Sequence, residues 1–454
     1  MADAPNNNIK GLSADALKAI SDRILQLSQA DQCRVNIESG WRGYTRVATN
    51  RITSAGGADS TSINITSVFG KRVASVDTNS LDDADLLTAV RRSEAMARLA
   101  PESPEYMPEL GPQNFQNNAA YFAATGELDA LTRAEAAAIA IRQAEAAGQI
   151  AASYMDVRAG TSTVATSAGL YGAQASTGVA YTLTSRTPDG LQSGWAGDEA
   201  NDWNNIESQR VADAAVSKCR DWRKTALEPG QYTAILEPTA VGMLMLRMMS
   251  DFNQRTADEG RSYFSRSGGG NRLGEKLFDE RVSIFSDPAY PDAETNPFTD
   301  SGQPLQRQSW VNAGTLENLA RSRFWAEQLG EEPLPGMSNL IMQGGDDSLE
   351  DMIASTERGV LLTRFWYIRG LNPRIISYTG LTRDGTFLIE NGRITRPVTN
   401  FRFNQSLVEM LQNVQMLGPS VRVAASENSS VSTPIVVPTI KVANFNLSSV
   451  SDAI

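Results

Sequence analysis

The sequence predicts an α+β protein. An amino-terminal α/β domain built on a duplicated helix, strands, helix unit precedes a carboxy-terminal, mostly antiparallel β-barrel or sandwich domain. Three observations lead there. A helix, strands, helix order occurs twice before residue 228, the composition changes at Glu228-Pro229-Gly230, and beyond Val282 short apolar runs alternate with Gly, Pro and Asn turns. The expected domains are 1–228, with halves at about 13–100 and 132–220, and 229–454.

In the first half, Ser13 to Ala30 sets Leu17, Ile20, Ile24, Leu25 and Leu27 near one helical face, with Ser13 as N-cap. Short β-rich runs follow at Arg34–Ser39, Tyr44–Asn50, Ser60–Val68 and Lys71–Asp77. Turn signals at Ser39-Gly40, Gly56-Gly57 and Phe69-Gly70 separate them into an antiparallel meander. Asp82 to Leu99 is a second helix, acidic in its first turn and basic later, which suits the helix dipole.

The order then recurs. Thr132–Ala147 is an Ala-rich helix, Ala151–Arg158, Ser162–Thr166 and Gly178–Ser185 read as strands, and Glu207–Cys219 closes the unit. Val47-Ala48-Thr49 and Val164-Ala165-Thr166 strengthen the case for duplication, and the Pro-rich stretch Pro101–Pro112 links the halves. Past the composition change, Tyr232–Leu236 reads as a strand. Thr239–Met249 reads as a strongly apolar helix with Thr239 as cap.

Composition narrows the chemistry. With 41 Lys and Arg against 52 Asp and Glu, the net charge is −11, and no basic cluster is available to displace counterions from a nucleic acid. No apolar run of about 18 residues could span a bilayer, and the start lacks the apolar core of a signal peptide, so a cytoplasmic protein is expected. The chain has no histidine, which removes Ser-His-Asp, Cys-His and HExxH chemistry. Two cysteines, Cys33 and Cys219, make no disulfide framework. Cations flank them, Arg34 beside one, Lys218 and Arg220 beside the other. Without an imidazole to take the proton, both read as structural.

Other features carry bland readings. Gly268-Gly269-Gly270 lacks the GK[ST] of a phosphate loop and reads as a surface loop. The acidic run Asp346 to Asp351 reads as a helix cap, with divalent-cation binding as the sharper alternative. Arg364-Phe365-Trp366-Tyr367-Ile368-Arg369 has two readings. It is either a strand lining a peptide groove, or a core strand whose arginines snorkel.

Several segments together resemble the TldD/TldE (PmbA) metallopeptidase family. They are Gly260-Arg261-Ser262, Leu273-Gly274-Glu275-Lys276, Asp287-Pro288, Arg383 to Ile394, Pro397 to Arg402 and Pro438 to Val442. Asn50-Arg51-Ile52 and Gly70-Lys71-Arg72 extend the likeness over nearly the whole chain. In that family the TldD type carries HExxxH on a helix after the domain boundary and a cysteine ligand near the carboxy terminus. The corresponding stretch Gly242–Asp251 has no histidine. The catalytic glutamate's position falls at Arg247 or a neighbour, and the cysteine's position, around Ala424 to Ser426, holds none.

The resemblance therefore implies a TldE-like, metal-free subunit with no catalytic or metal-binding residue and no cofactor of its own. Its zinc would reside in a TldD-like partner, and the heterodimer would enclose a cavity for unfolded peptides or peptide precursors. Arg364, Trp366, Tyr367 and Arg369 are expected near that cavity. The rival expectation is a stand-alone binding or scaffold protein, a homodimer or other homo-oligomer, that has lost protease activity. A weaker one is an enzyme using carboxylates or Tyr and Lys.

Overall fold

The computed structural model describes residues 9–219 and 225–451. Most of the start read for a signal peptide, and Arg220 beside Cys219, lie outside this range. The amino-terminal part runs α1 (Ala14–Leu27), β1 (Gln32–Ala48), β2 (Arg51–Phe69), β3 (Arg72–Thr78), α2 (Asp83–Leu99). After the short turn α3 (Ala123–Gly126), the order repeats as α4 (Ala130–Ala146), β4 (Ile150–Thr166), β5 (Tyr171–Arg186), β6 (Ser193–Ala200), α5 (Ser208–Lys218). All six strands form one antiparallel sheet, ordered β3-β2-β1-β4-β5-β6. The domain is thus α+β in character, without the parallel crossovers that an α/β label implies.

Two expected breaks do not occur. The runs Arg34–Ser39 and Tyr44–Asn50 form a single 17-residue strand, β1, and Ala151–Arg158 joins Ser162–Thr166 in β4. Of the glycines read as turn signals, Gly70 does sit at the turn between β2 and β3, but Gly40 lies where β1 and β4 face each other. Gly40 pairs with Gly160, and a Cβ on Gly40 would sit 2.5 Å from the Ala159 carbonyl oxygen. Gly57 likewise lies inside β2, where a Cβ would press against the Trp41 indole at 2.7 Å. Close approach explains these glycines, and the reversal falls instead at Thr49 and Asn50, both at positive φ.

Helices cover one face of this sheet. Leu17 and Ile24 of α1 and Leu86 and Val90 of α2 pack on Val35, Ile37, Ile63 and Ile65. Ala136, Ala140 and Ala144 of α4 and Val211 and Ala215 of α5 pack on Met155, Val157, Tyr181 and Leu183. The Ser13 hydroxyl accepts the Ala16 N–H at 3.2 Å, capping α1 as expected.

The carboxy-terminal part contributes β7 (Gly230–Leu236) and the buried helix α6 (Pro238–Met248). Then come β8 (Ile284–Ser286), β9 (Gln308–Asn312), β10 (Thr315–Leu316), β11 (Leu340–Met342), β12 (Arg358–Leu362) and β13 (Phe365–Asn372). The last six strands are β14 (Ser377–Thr382), β15 (Thr386–Glu390), β16 (Arg393–Pro397), β17 (Phe401–Ser406), β18 (Val414–Arg422) and β19 (Ile435–Val450). They make a 13-stranded sheet whose main path is β10-β9-β8-β11-β19-β7-β12-β15-β16, with β13-β14-β17 and β18 branching onto β19.

Most pairs are antiparallel, but β11–β19 and β7–β12 are parallel, so the sheet is mixed. It is not a closed barrel among the described residues. Closure needs the end strands of the sheet to pair, and here the main path ends at β10 and β16 without joining, while the 16-residue β19 takes several short neighbours along different stretches. Pro238 occupies the first turn of α6 and Glu237 is its N-cap, so Thr239 is not the cap; it is buried within the helix. Ser348 caps the helix Leu349–Ala354, as the acidic run suggested. Among the described residues no helix is long and apolar enough to cross a membrane.

Candidate functional site

Helix α6 sinks almost its whole circumference into the core, with Thr239 to Met245 and Met248 buried. Arg247 is the charged residue of this helix, and a partly buried cation there requires an acid. Glu427, in the loop after β18, supplies it. Arg247 Nη2 donates to Glu427 Oε1 at 3.0 Å, and the same oxygen accepts the Ile368 backbone N–H at 2.9 Å. Arg369 Nη1 stands 3.8 Å from the other oxygen, Oε2. One carboxylate thereby joins α6, the loop after β18 and β13.

Just beyond α6, the Tyr378 hydroxyl donates to Asp251 Oδ2 at 2.7 Å. Burial pushes the Asp251 carboxyl up to about 6, with this hydrogen bond opposing the rise. Asp251 faces a cavity of about 460 Å³ together with Arg261, Asn372 and Arg374.

The residues singled out in the sequence divide between two environments. Arg364 is buried, its guanidinium 3.6 Å from Asp384 Oδ2, 4.7 Å from the Trp195 ring of β6 and 5.7 Å from the Trp366 ring. It therefore lies in the seam between the two sheets. Burial lowers its pKa, with Asp384 pulling the other way, and its Nε has no hydrogen-bond partner among the described residues. Trp366 also receives Arg383 at 4.9 Å. Tyr367 is exposed at φ +56°, and the Arg369 guanidinium stacks on its ring at 4.1 Å.

That left-handed residue breaks strict alternation. Phe365 and Ile368 both point into the core, and the pairing register with β14 shifts between Trp366 and Arg369. Trp366, Tyr367 and Arg369 are thus brought together on an edge strand, since β14 is the neighbour of β13 among the described strands. Such an edge presents backbone groups to an added strand.

A zinc ion suits imidazole, thiolate or carboxylate ligands in tetrahedral array. The side chains around α6 do not fit one. The chain has no imidazole, α6 offers Met and Leu side chains, and Glu427 is engaged by an amide and two guanidiniums. Burial raises the Cys33 and Cys219 thiols to about 11, so both are protonated near neutral pH. Among the described residues no three His, Cys, Asp or Glu side chains converge as a metal site would require.

Residues 229–449 match the PmbA/TldA metallopeptidase C-terminal domain. The carboxy-terminal domain is thus similar to that of PmbA/TldD-type metallopeptidases. The chain is 28% identical over 158 residues to a metalloprotease of Archaeoglobus fulgidus, covering 32% of this chain and 36% of that one. It is 23% identical over 218 residues to a TldD metalloprotease homologue of Buchnera aphidicola, covering 43% of each. The chain thus aligns with less than half the length of these curated relatives.

Fold similarity reaches further. TldE of Thermococcus kodakarensis superposes with a TM-score of 0.81 at 18% identity, over 95% of this chain and 99% of that one. A Thermotoga maritima protein, described as a proposed modulator of a DNA gyrase, superposes with a TM-score of 0.82 at 17% identity, over the same shares. At these identities the likeness is one of fold.

In this domain, sequence reasoning missed Glu427 and Asp384. A signal existed for the first: an arginine on a Met-rich buried helix demands a carboxylate, and Glu427 directly follows the Ala424–Ser426 segment already singled out. No local signal pointed from Arg364 to Trp195, which lies on the other sheet.

Proposed function

We propose that the chain is the non-catalytic subunit of a heterodimeric TldD/TldE-type zinc metallopeptidase. Its role is to complete the chamber and help hold an extended peptide, while a TldD-like partner holds the zinc. The observation that carries this reading is the Arg247–Glu427 ion pair at the end of α6. There the family resemblance puts the catalytic glutamate of TldD-type chains, and a cation held by a carboxylate cannot act as the general base that such an enzyme uses to activate zinc-bound water.

The edge strand β13 supports a peptide-holding role, with Trp366, Tyr367 and Arg369 beside the open backbone and Arg364 behind them. Tyr367 and Leu371 on β13 and Ile375 just after it are exposed apolar residues that a partner subunit would cover. In this reading the chain is cytoplasmic and divides near residues 228–229. Its amino-terminal part arose by duplication of halves at about 13–100 and 132–220, supported by the recurring element order.

Co-expression with a TldD-like chain carrying HExxxH, followed by mass and zinc analysis, tests the reading. A one-to-one complex with zinc in the partner is expected. A self-associating chain whose mass does not change on adding the partner would favour the homo-oligomeric scaffold.

A further inference from the structure

The face of the amino-terminal sheet away from its helices holds a cavity of about 520 Å³, centred where β1 and β4 pair. Alternation along β1 puts Glu38, Gly40 and Arg42 on this face, and the register places Arg158 directly opposite Arg42 and Gly160 opposite Gly40. The glycine pair leaves the floor flat; a Cβ on Gly160 would stand 2.7 Å from Gly40 Cα. Val431, from the loop after β18, forms part of the wall.

Charge is distributed unevenly along this trough. Asp156 is fully buried and accepts Arg42 Nε at 2.6 Å, Arg158 Nε at 3.2 Å and the Val431 N–H at 3.0 Å. One guanidinium would neutralise this carboxylate, and two are supplied. Both bond it through Nε, so neither terminal Nη fork has a second anionic partner among the described residues, although the Tyr154 hydroxyl adds to the hold on Arg42. The two side chains remain 52% and 47% exposed while their geometry is fixed from below.

At the other end, Glu38 is exposed and lines the same cavity. It lies four residues from Arg42 along an extended strand, about 13 Å. The trough therefore runs from one carboxylate to a paired, surplus cation across a polar floor.

We infer that this trough binds a short peptide of three or four residues, its terminal carboxylate on the Arg42–Arg158 pair and its free ammonium toward Glu38. Bidentate guanidinium forks match a carboxylate, and the spacing matches the ends of an extended peptide of that length. The inference does not rest on the heterodimer reading, because the site lies within this one chain.

Calorimetric titration of the full chain with trialanine, its carboxy-terminal amide, its N-acetyl form and acetate tests it. Trialanine should bind, and amidation should weaken binding about tenfold or more. Arg158→Lys keeps a cation for Asp156 but removes the fork, and should weaken trialanine similarly while the chain keeps its thermal transition. Glu38→Gln should weaken trialanine and leave its N-acetyl form unchanged. Equal binding of amide and free acid, or no loss in the Arg158→Lys variant, would overturn the inference. Acetate binding as tightly as trialanine would reduce the site to a simple anion site and overturn the peptide assignment. Zinc content and partner binding do not enter these readouts, so the heterodimer proposal succeeds or fails separately.

Discussion

Arg247 and Glu427 lie 180 residues apart in sequence and 3.0 Å apart in the fold, where the end of a buried helix meets the loop after β18. The pair is a cross-link: through Glu427 the helix is also tied to the backbone of Ile368 on β13. An electrostatic contact fastens these three segments together.

That contact should be measurable. Arg247→Met removes one of the charge-assisted bonds to Glu427 and should cost about 1–2 kcal/mol of unfolding free energy, reduced by the partial exposure of the arginine. Glu427→Gln should cost a similar amount. In urea unfolding, the double variant should lose less than the sum of the two. Strict additivity would show that the pair contributes no coupling.

A second cross-link joins the two sheets. Glu199 on β6 is fully buried and accepts Arg422 Nη2 at 2.9 Å and the Ser432 hydroxyl at 3.0 Å. Burial raises the Glu199 pKa, and Arg422 and Ser432 counter it. Arg422→Met strands this carboxylate and should cost about 3–5 kcal/mol near neutral pH. The stranded group can protonate in acid, so the loss should be smaller at pH 5 than at pH 8. Equal losses at both would mean that Glu199 stays protonated or finds another partner.

Asp251 gives a pH signature of opposite sense to that of most salt-bridged acids. Its folded pKa of about 6 lies above the ordinary carboxylate value, so the folded state binds the extra proton between roughly pH 4 and 6. Stability contributed by this group therefore falls as pH rises through that window. Asp251→Asn should remove the slope, raising the melting temperature at pH 7.5 relative to the parent chain and not at pH 4. Scanning calorimetry at the two pH values decides it.

The edge strand can be tested in the complex. Trp366→Ala and Arg369→Ala should weaken peptide cleavage by the assembled heterodimer, chiefly through KM, while its zinc content stays unchanged. Full turnover in both variants would make β13 an ordinary structural strand.

The sequence by itself determined the local elements and the chemical inventory. Apolar spacing and the Ser13 cap set α1, the acids and arginines of Asp82–Leu99 set α2, and the absence of histidine narrowed the chemistry. These signals are legible because helix periodicity and capping act over a few residues. What only the tertiary structure decided depends on contacts between distant segments. Gly40 and Gly57 look like turns in isolation, yet they lie inside strands because a facing glycine or an indole takes the space of a Cβ. The expected antiparallel barrel or sandwich is a mixed sheet with no closed barrel among the described residues, because pairing partners of the long β19 come from both ends of the domain. Arg364, three residues before the exposed Tyr367, is buried because Trp195 and Asp384, remote in sequence, close over it. Long-range packing, which has no period to read, set the surroundings of Arg247, Glu427 and Arg364.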